Sequence, residues 1–281
     1  MRSARGEGAS EALAWLGASP ATTALLTDFD GTLSAVVARP PDARPLPGAV
    51  LTLKRLAKRL MVVAVVSGRE AEWLVEQLDL GDPPVADGRG LVRVYGLHGL
   101  QRTEGGTIEL EPAVLEWADP LAEAARLARA EGLVGVEVED KGFGVTLHWR
   151  NAPDVAAAEA QAVACAERIA SDLRLSSRPG RASIELVAPV GIDKGTIVRR
   201  FGDGDQPRRV AFIGDDVSDL LAFAAIDSLT AAGLEGLKIA VGSSEAPPSL
   251  LDSADVILAD PEAAVRLLTD LADALDESPL A

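Results

Sequence analysis

Ala24-Leu25-Leu26-Thr27 runs straight into Asp28-Phe29-Asp30-Gly31-Thr32, and this junction of a short apolar run with two acids constrains the chain more than any other segment. An extended backbone alternates its side chains, so residues 28 and 30 project to one side at the mouth of a buried strand. Gly31 lets the backbone turn tightly past them. Two convergent carboxylates can divide labour, one attacking phosphorus and the other handling protons, and together they can hold a hard cation. The pattern points to phosphoryl transfer through an aspartyl intermediate.

The rest of the chain supplies a matching frame. Further strands are expected at Met61–Val66, Leu91–Tyr95, Arg209–Ile213, Lys238–Val241 and Asp255–Leu258, with helical periodicity from Pro47 and from Pro261. Residues 1–19 read as a loosely held lead-in with a short helix around Glu11–Leu16, and Arg39–Pro45 as a Pro-rich flap. Strands alternating with helices predict an α/β fold, a Rossmann-like doubly wound parallel sheet. The middle of the chain changes style. Strand pairs at Leu100–Thr103 with Thr107–Leu110, and Val134–Asp140 with Gly144–Arg150, interleave with helices at Ala113–Glu131 and Asp154–Leu173, and Ser183–Val187 follows. The expected organisation is a core of residues 20–100 and 188–281, with residues 101–187 inserted as an α+β cap.

Bulk properties narrow the partners. Across 281 residues the formal net charge is −16, which argues against nucleic acid and against anionic membrane surfaces. An anionic substrate then needs local positive charge from a metal, Lys or Arg. The single cysteine, Cys165, excludes an intramolecular disulfide and fits a reducing compartment. With no apolar segment behind Arg2 and Arg5, the chain reads as cytoplasmic, and as a monomer or weak dimer.

Three more motifs fall at strand ends. Ser67-Gly68-Arg69 offers a hydroxyl and helix N-terminal amides to an anion. Lys194, in Gly191-Ile192-Asp193-Lys194-Gly195, can neutralise phosphate and keep a nucleophile ionised. Asp215, Asp216 and Asp219 crowd carboxylates that repel one another unless a cation binds, and Mg²⁺ fits that context. A calcium loop starting at Asp28 fails, because it requires glycine at 33 and an acid at 39, where Leu33 and Arg39 stand.

Taken together and in this order, the four motifs resemble those of haloacid dehalogenase superfamily phosphatases over nearly all of residues 22–270. The resemblance implies Asp28 as nucleophile, Asp30 as acid/base, Thr32 and Ser67 as phosphate-gripping hydroxyls, and Lys194 as the phosphate lysine. It also implies Mg²⁺ held by Asp28, the Asp30 carbonyl and Asp215, with Asp219 in support. Leu33-Ser34, Gly96-Leu97-His98-Gly99, Glu139-Asp140-Lys141-Gly142, His148-Trp149-Arg150 and Ile184-Glu185-Leu186 are similar to segments of trehalose-6-phosphate phosphatases. That likeness implies a sugar gripped by Lys141 and Glu185, with Arg69 and His98 as core-side candidates and His148 and Arg181 as further substrate-binding candidates.

Alternation supports a sugar independently. In the inserted unit Val145, Leu147 and Trp149 oppose Thr146, His148 and Arg150, while Ile184 and Leu186 oppose Ser183 and Glu185. The resulting polar face, expected to point outward, carries charges of both signs that suit a hydroxyl-rich leaving group. One departure stands out: Leu220 and Leu221 follow Asp219, where the family commonly places another acid. Phosphates of a pseudodisaccharide, sucrose or mannosylglycerate remain alternative substrates, and a non-catalytic sugar-phosphate sensor a different class of function.

Overall fold

A computed structural model describes residues 5–81, 90–104, 107–201 and 207–277, arranged as two compact units, Met1–Glu109 with Ile192–Ala281 and Leu110–Gly191. The Gly105-Gly106 turn expected from the sequence lies outside the described residues.

The first unit is built on β1 (Thr23–Thr27), β2 (Val62–Val66), β3 (Val92–Gly96), β4 (Gln101–Glu104), β5 (Thr107–Leu110), β10 (Arg209–Gly214), β11 (Glu235–Val241) and β12 (Val256–Leu258). They form one eight-stranded sheet in the order β12-β11-β10-β1-β2-β3-β4-β5. From β12 to β3 every pairing is parallel. Both faces are buried, so these strands read as continuous apolar runs. Leu25, Val63, Val65, Ala211 and Ile213 point into one core with α1 (Arg5–Gly17), α2 (Ala49–Ala57), α3 (Ala71–Gln77) and α9 (Pro261–Glu277). Leu26, Ala64, Val66, Val210 and Phe212 point into the other, with α6 (Lys194–Arg200), α7 (Asp219–Ala231) and α8 (Pro248–Ser253). The sheet is doubly wound, and its order reverses between β1 and β10, where open α/β sheets form a ligand crevice.

The second unit holds β6 (Glu137–Asp140), β7 (Gly144–His148), β8 (Ser176–Gly180) and β9 (Ser183–Val187) in the order β6-β7-β9-β8, all antiparallel. Val145, Leu147, Trp149, Ile184 and Leu186 pack on α4 (Ala118–Ala130) and α5 (Val155–Leu173). Cys165 is buried among them as packing.

Several sequence expectations need correction. The hairpin at 101–110 belongs to the large sheet and not to the insertion, because Tyr95 pairs with Arg102 and Gly96 with Gln101 across β3 and β4. The N-terminal segment is no loose lead-in: α1 runs from Arg5 to Gly17, and Ala12 and Leu16, one helical turn apart, are fully buried. The 113–131 helix opens as a 3₁₀ turn, Pro112–Trp117, before α4 begins. Strand β8 lacks apolar alternation and contains Pro179, a residue tolerated on an edge strand.

Phe223 is almost fully buried on α7, edge-on to Phe212 with ring centroids 6.4 Å apart. We expect Phe223→Ala to lower unfolding free energy by about 3–5 kcal/mol, measured by urea denaturation.

Candidate active site

Three neighbouring strands deliver polar residues at their C-terminal ends: Asp28 after β1, Ser67 after β2 and Asp215 after β10. The Asp28 N–H donates to the Ile213 carbonyl at 2.8 Å, so pairing continues past the strand and sets Asp28 near the 215 loop. Gly31, at φ +75°, lets backbone and carboxylate approach: a Cβ there would lie 1.9 Å from Asp215 Oδ2.

Lys194 is the first residue of α6, whose N-cap Asp193 accepts a hydrogen bond from the Thr196 N–H at 2.7 Å. Its ammonium is buried and bridges Asp28 Oδ1 at 3.0 Å and Asp219 Oδ1 at 2.7 Å. The other oxygen of Asp219 accepts from the backbone N–H of Asp215 at 2.9 Å and of Asp216 at 3.0 Å. Asp219 thus ties the lysine to the loop that carries Asp215. Leu220 packs against the second core, while Leu221 is exposed.

Burial pushes the Asp28 carboxyl well above its ordinary pKa; Lys194 opposes the shift, and Asp219, Asp215 and Asp30 add to it. Burial also works against the Lys194 charge, but Asp219 and Asp28 overcome it and hold its pKa above the ordinary lysine value. One ammonium therefore faces three buried carboxylates, Asp28, Asp215 and Asp219, which offer oxygens all within 4.8 Å of one another. Hard oxygen donors at that spacing, with negative charge left over, fit a divalent cation. Because both Asp219 oxygens already accept hydrogen bonds, Asp28 and Asp215 are the groups suited to hold it, and Asp219 supports them.

Thr32 is fully buried and its Oγ1 has no hydrogen-bond partner within the protein. A buried hydroxyl in that state has a hydrogen bond to give to a ligand oxygen or to water. Ser67 is buried too, and its Oγ accepts the Arg69 N–H at 3.2 Å. The expected helix amides are less available than the sequence suggests. Helix α3 starts only at Ala71, and the Ala71 N–H already donates to Gln101 Oε1 at 2.8 Å. Gly68 has another purpose: a Cβ there would lie 2.7 Å from His98 Nε2, so glycine makes room for the ring. Leu97 and His98 both adopt left-handed backbone, at φ 48° and 57°, and their N–H groups donate to the Arg69 and Ser67 carbonyls. Two consecutive strained residues are held there by those bonds.

Asp30 does not meet the cluster directly. Its two oxygens accept from Arg69 Nε and a terminal Arg69 nitrogen, both at 2.8 Å.

In the second unit, register places Glu139, Thr146, Glu185 and Arg178 in one row across β6, β7, β9 and β8. Lys141 Nζ donates to Glu185 Oε1 at 2.9 Å, Thr146 Oγ1 to the same oxygen at 3.3 Å, and His148 Nε2 lies 2.9 Å from Glu139 Oε2. The face is polar as expected, but Thr146 and Glu185 are buried and not turned out to solvent. Arg181 sits in the β8–β9 turn. The place of Arg178 in this row was not legible, because Ser176-Ser177-Arg178-Pro179-Gly180 carries no strand signal; only the partner strand, Ser183–Val187, could have suggested it.

The family model described as trehalose-phosphatase matches residues 26–256. The trehalose-phosphate phosphatase of Mycobacterium marinum is 35% identical over 230 residues, which are 79% of this chain and 54% of that protein. That of Mycobacterium bovis is 34% identical over 267 residues, 92% of this chain and 63% of that protein. The chain thus spans between about half and two-thirds of the length of these relatives. The C-terminal domain of C. albicans trehalose-6-phosphate phosphatase superposes with a TM-score of 0.76 at 20% identity, covering 94% of this chain and 97% of that one. This last likeness shows a shared fold.

A divalent cation at 100 times its Kd is expected to stabilise the protein by about 2.7 kcal/mol. The gain should appear as a rise in thermal midpoint and vanish in Asp215→Ala.

Proposed function

The chain belongs to the trehalose-phosphatase family, and from that premise we propose that it is a Mg²⁺-dependent phosphatase that hydrolyses trehalose 6-phosphate. The observation that carries this reading is the buried Asp28–Lys194–Asp219 triad beside Asp215 at the reversal point of the sheet.

Asp28 attacks phosphorus: its carboxylate oxygen forms a bond to phosphorus as the bond from phosphorus to the sugar oxygen breaks. Asp30 donates a proton to that departing oxygen. It then takes a proton from a water whose oxygen bonds to phosphorus, and the bond to Asp28 breaks to release inorganic phosphate. Lys194 holds Asp28 in place and supplies positive charge, and the Thr32 and Ser67 hydroxyls donate to phosphate oxygens. Mg²⁺, held by Asp28 and Asp215 with the Asp30 carbonyl, would screen the phosphate from the Asp28 carboxylate and keep Asp28 ionised.

The inserted unit selects the leaving group, with Lys141 and Glu185 reading sugar hydroxyls and Thr146, His148, Arg178 and Arg181 around them. A group that both donates and accepts, such as a hydroxyl, matches a surface holding paired charges of both signs. An acidic, single-cysteine chain suits cytoplasmic work as a monomer or weak dimer. The same chemistry on a pseudodisaccharide, sucrose or mannosylglycerate phosphate is the alternative, and a panel of sugar phosphates decides between them.

Phosphate release from trehalose 6-phosphate should require Mg²⁺ and be lost to chelator, and Asp28→Asn should reduce it by at least about 10⁴-fold. Robust turnover by that variant removes Asp28 from its role. Glu185→Ala should raise KM for the sugar phosphate about tenfold or more while leaving KM for p-nitrophenyl phosphate nearly unchanged.

A further inference from the structure

Arg69 is more heavily engaged than a residue awaiting a phosphate. Its Nε and one terminal nitrogen form a two-pronged pair with both Asp30 oxygens, each at 2.8 Å. Its other terminal nitrogen donates to the Pro40 carbonyl at 2.7 Å. The guanidinium lies over the Trp73 ring, 4.7 Å from its centroid, and Trp73 stands edge-on to buried Phe29 at 5.3 Å and 88°. Its own N–H is bound to Ser67 Oγ at 3.2 Å.

These contacts reach separate segments: the loop after β1, the loop after β2, the first turn of α3 and the Pro-rich segment 39–45. Phe29, between the two acids, is itself the residue against which Trp73 leans. A planar guanidinium with five donors fixes direction as well as charge, which an ammonium cannot do.

We infer that Arg69 is a positioning residue that orients the Asp30 carboxyl and fastens the Pro-rich segment beside it, and not a phosphate ligand. The inference rests on the phosphatase reading above. It assigns Arg69 to leaving-group departure, the step in which the phosphorus–oxygen bond to the sugar breaks and the proton moves from Asp30 to that oxygen. A leaving group that departs as a stable anion needs no proton. Loss of Arg69 should therefore hurt a sugar phosphate and spare p-nitrophenyl phosphate, whereas loss of a phosphate ligand hurts both.

The experiment measures kcat/KM, which covers the steps up to leaving-group departure, for Mg²⁺-loaded wild type and variants on trehalose 6-phosphate and p-nitrophenyl phosphate. Arg69→Met should lower kcat/KM about 100-fold on the sugar phosphate and about tenfold or less on the aryl phosphate. Arg69→Lys, which retains the charge but not the fork, should fail in the same asymmetric way. Equal losses on both substrates, or recovery to near wild-type rates by the lysine, overturn the inference. Trp73→Leu removes the ring beneath the guanidinium and serves if the Arg69 variants do not fold. It should show the same asymmetry on a smaller scale, and a symmetric loss counts against the inference. If wild type hydrolyses neither substrate, the phosphatase reading itself fails and takes this inference with it, an outcome distinct from symmetric loss in an active enzyme.

Discussion

The contact between Lys194 and Asp219, deep beneath the strand ends, is the interaction on which the rest of the site depends. An ammonium and a carboxylate withdrawn from water are each costly alone, and removing one partner typically destabilises by about 3–5 kcal/mol. Here neither is alone. Asp219 commits one oxygen to Lys194 and the other to two backbone amides, so both of its oxygens are held in place. That leaves Lys194 free to reach Asp28, and it fixes the backbone from which Asp215 projects. Gly214 admits this arrangement, since a Cβ there would lie 2.4 Å from Asp219 Cγ. The acid motif after β10 is therefore two kinds of carboxylate: Asp219 faces the protein, and Asp215 joins Asp28 at the place suited to a cation.

The frame and the chemistry were readable in the sequence to different depths. Both-sided burial makes Leu25-Leu26 and Val62–Val66 continuous apolar runs, and acids or Ser at their ends mark the ligand edge. What escaped were features set by a partner distant in sequence. Strands β4 and β5 look like any hairpin, and only pairing with β3 assigns them to the large sheet. Gln101 gave no hint that its amide oxygen would occupy the first free N–H of α3. Arg69 reads from the sequence only as a core-side substrate-binding candidate; its contacts with Asp30, Pro40 and Trp73 exist only in three dimensions.

The inserted unit follows a separate logic. Its polar row is stabilised internally, with Glu185 accepting from both Lys141 and Thr146 and Glu139 beside His148. Charges arranged this way hold their rotamers before any ligand arrives, which lowers the ordering cost of recognition. Val145, Leu147, Ile184 and Leu186 on the other face, packed against two helices, give those side chains a rigid base.

The parallel register of β1 with β10, Thr23 beside Arg209 and Thr27 beside Ile213, has a consequence for how the protein is made. During synthesis Asp28 leaves the ribosome long before Lys194, Asp215 and Asp219 exist. Until the segment from Lys194 through β10 docks, β1 lacks its neighbour on one side and the Asp28 carboxylate has no counter-ion. Pairings so remote in sequence close slowly and leave a hydrophobic edge open to other chains in the interval. The nascent chain is thus most exposed to aggregation until β10 settles beside β1.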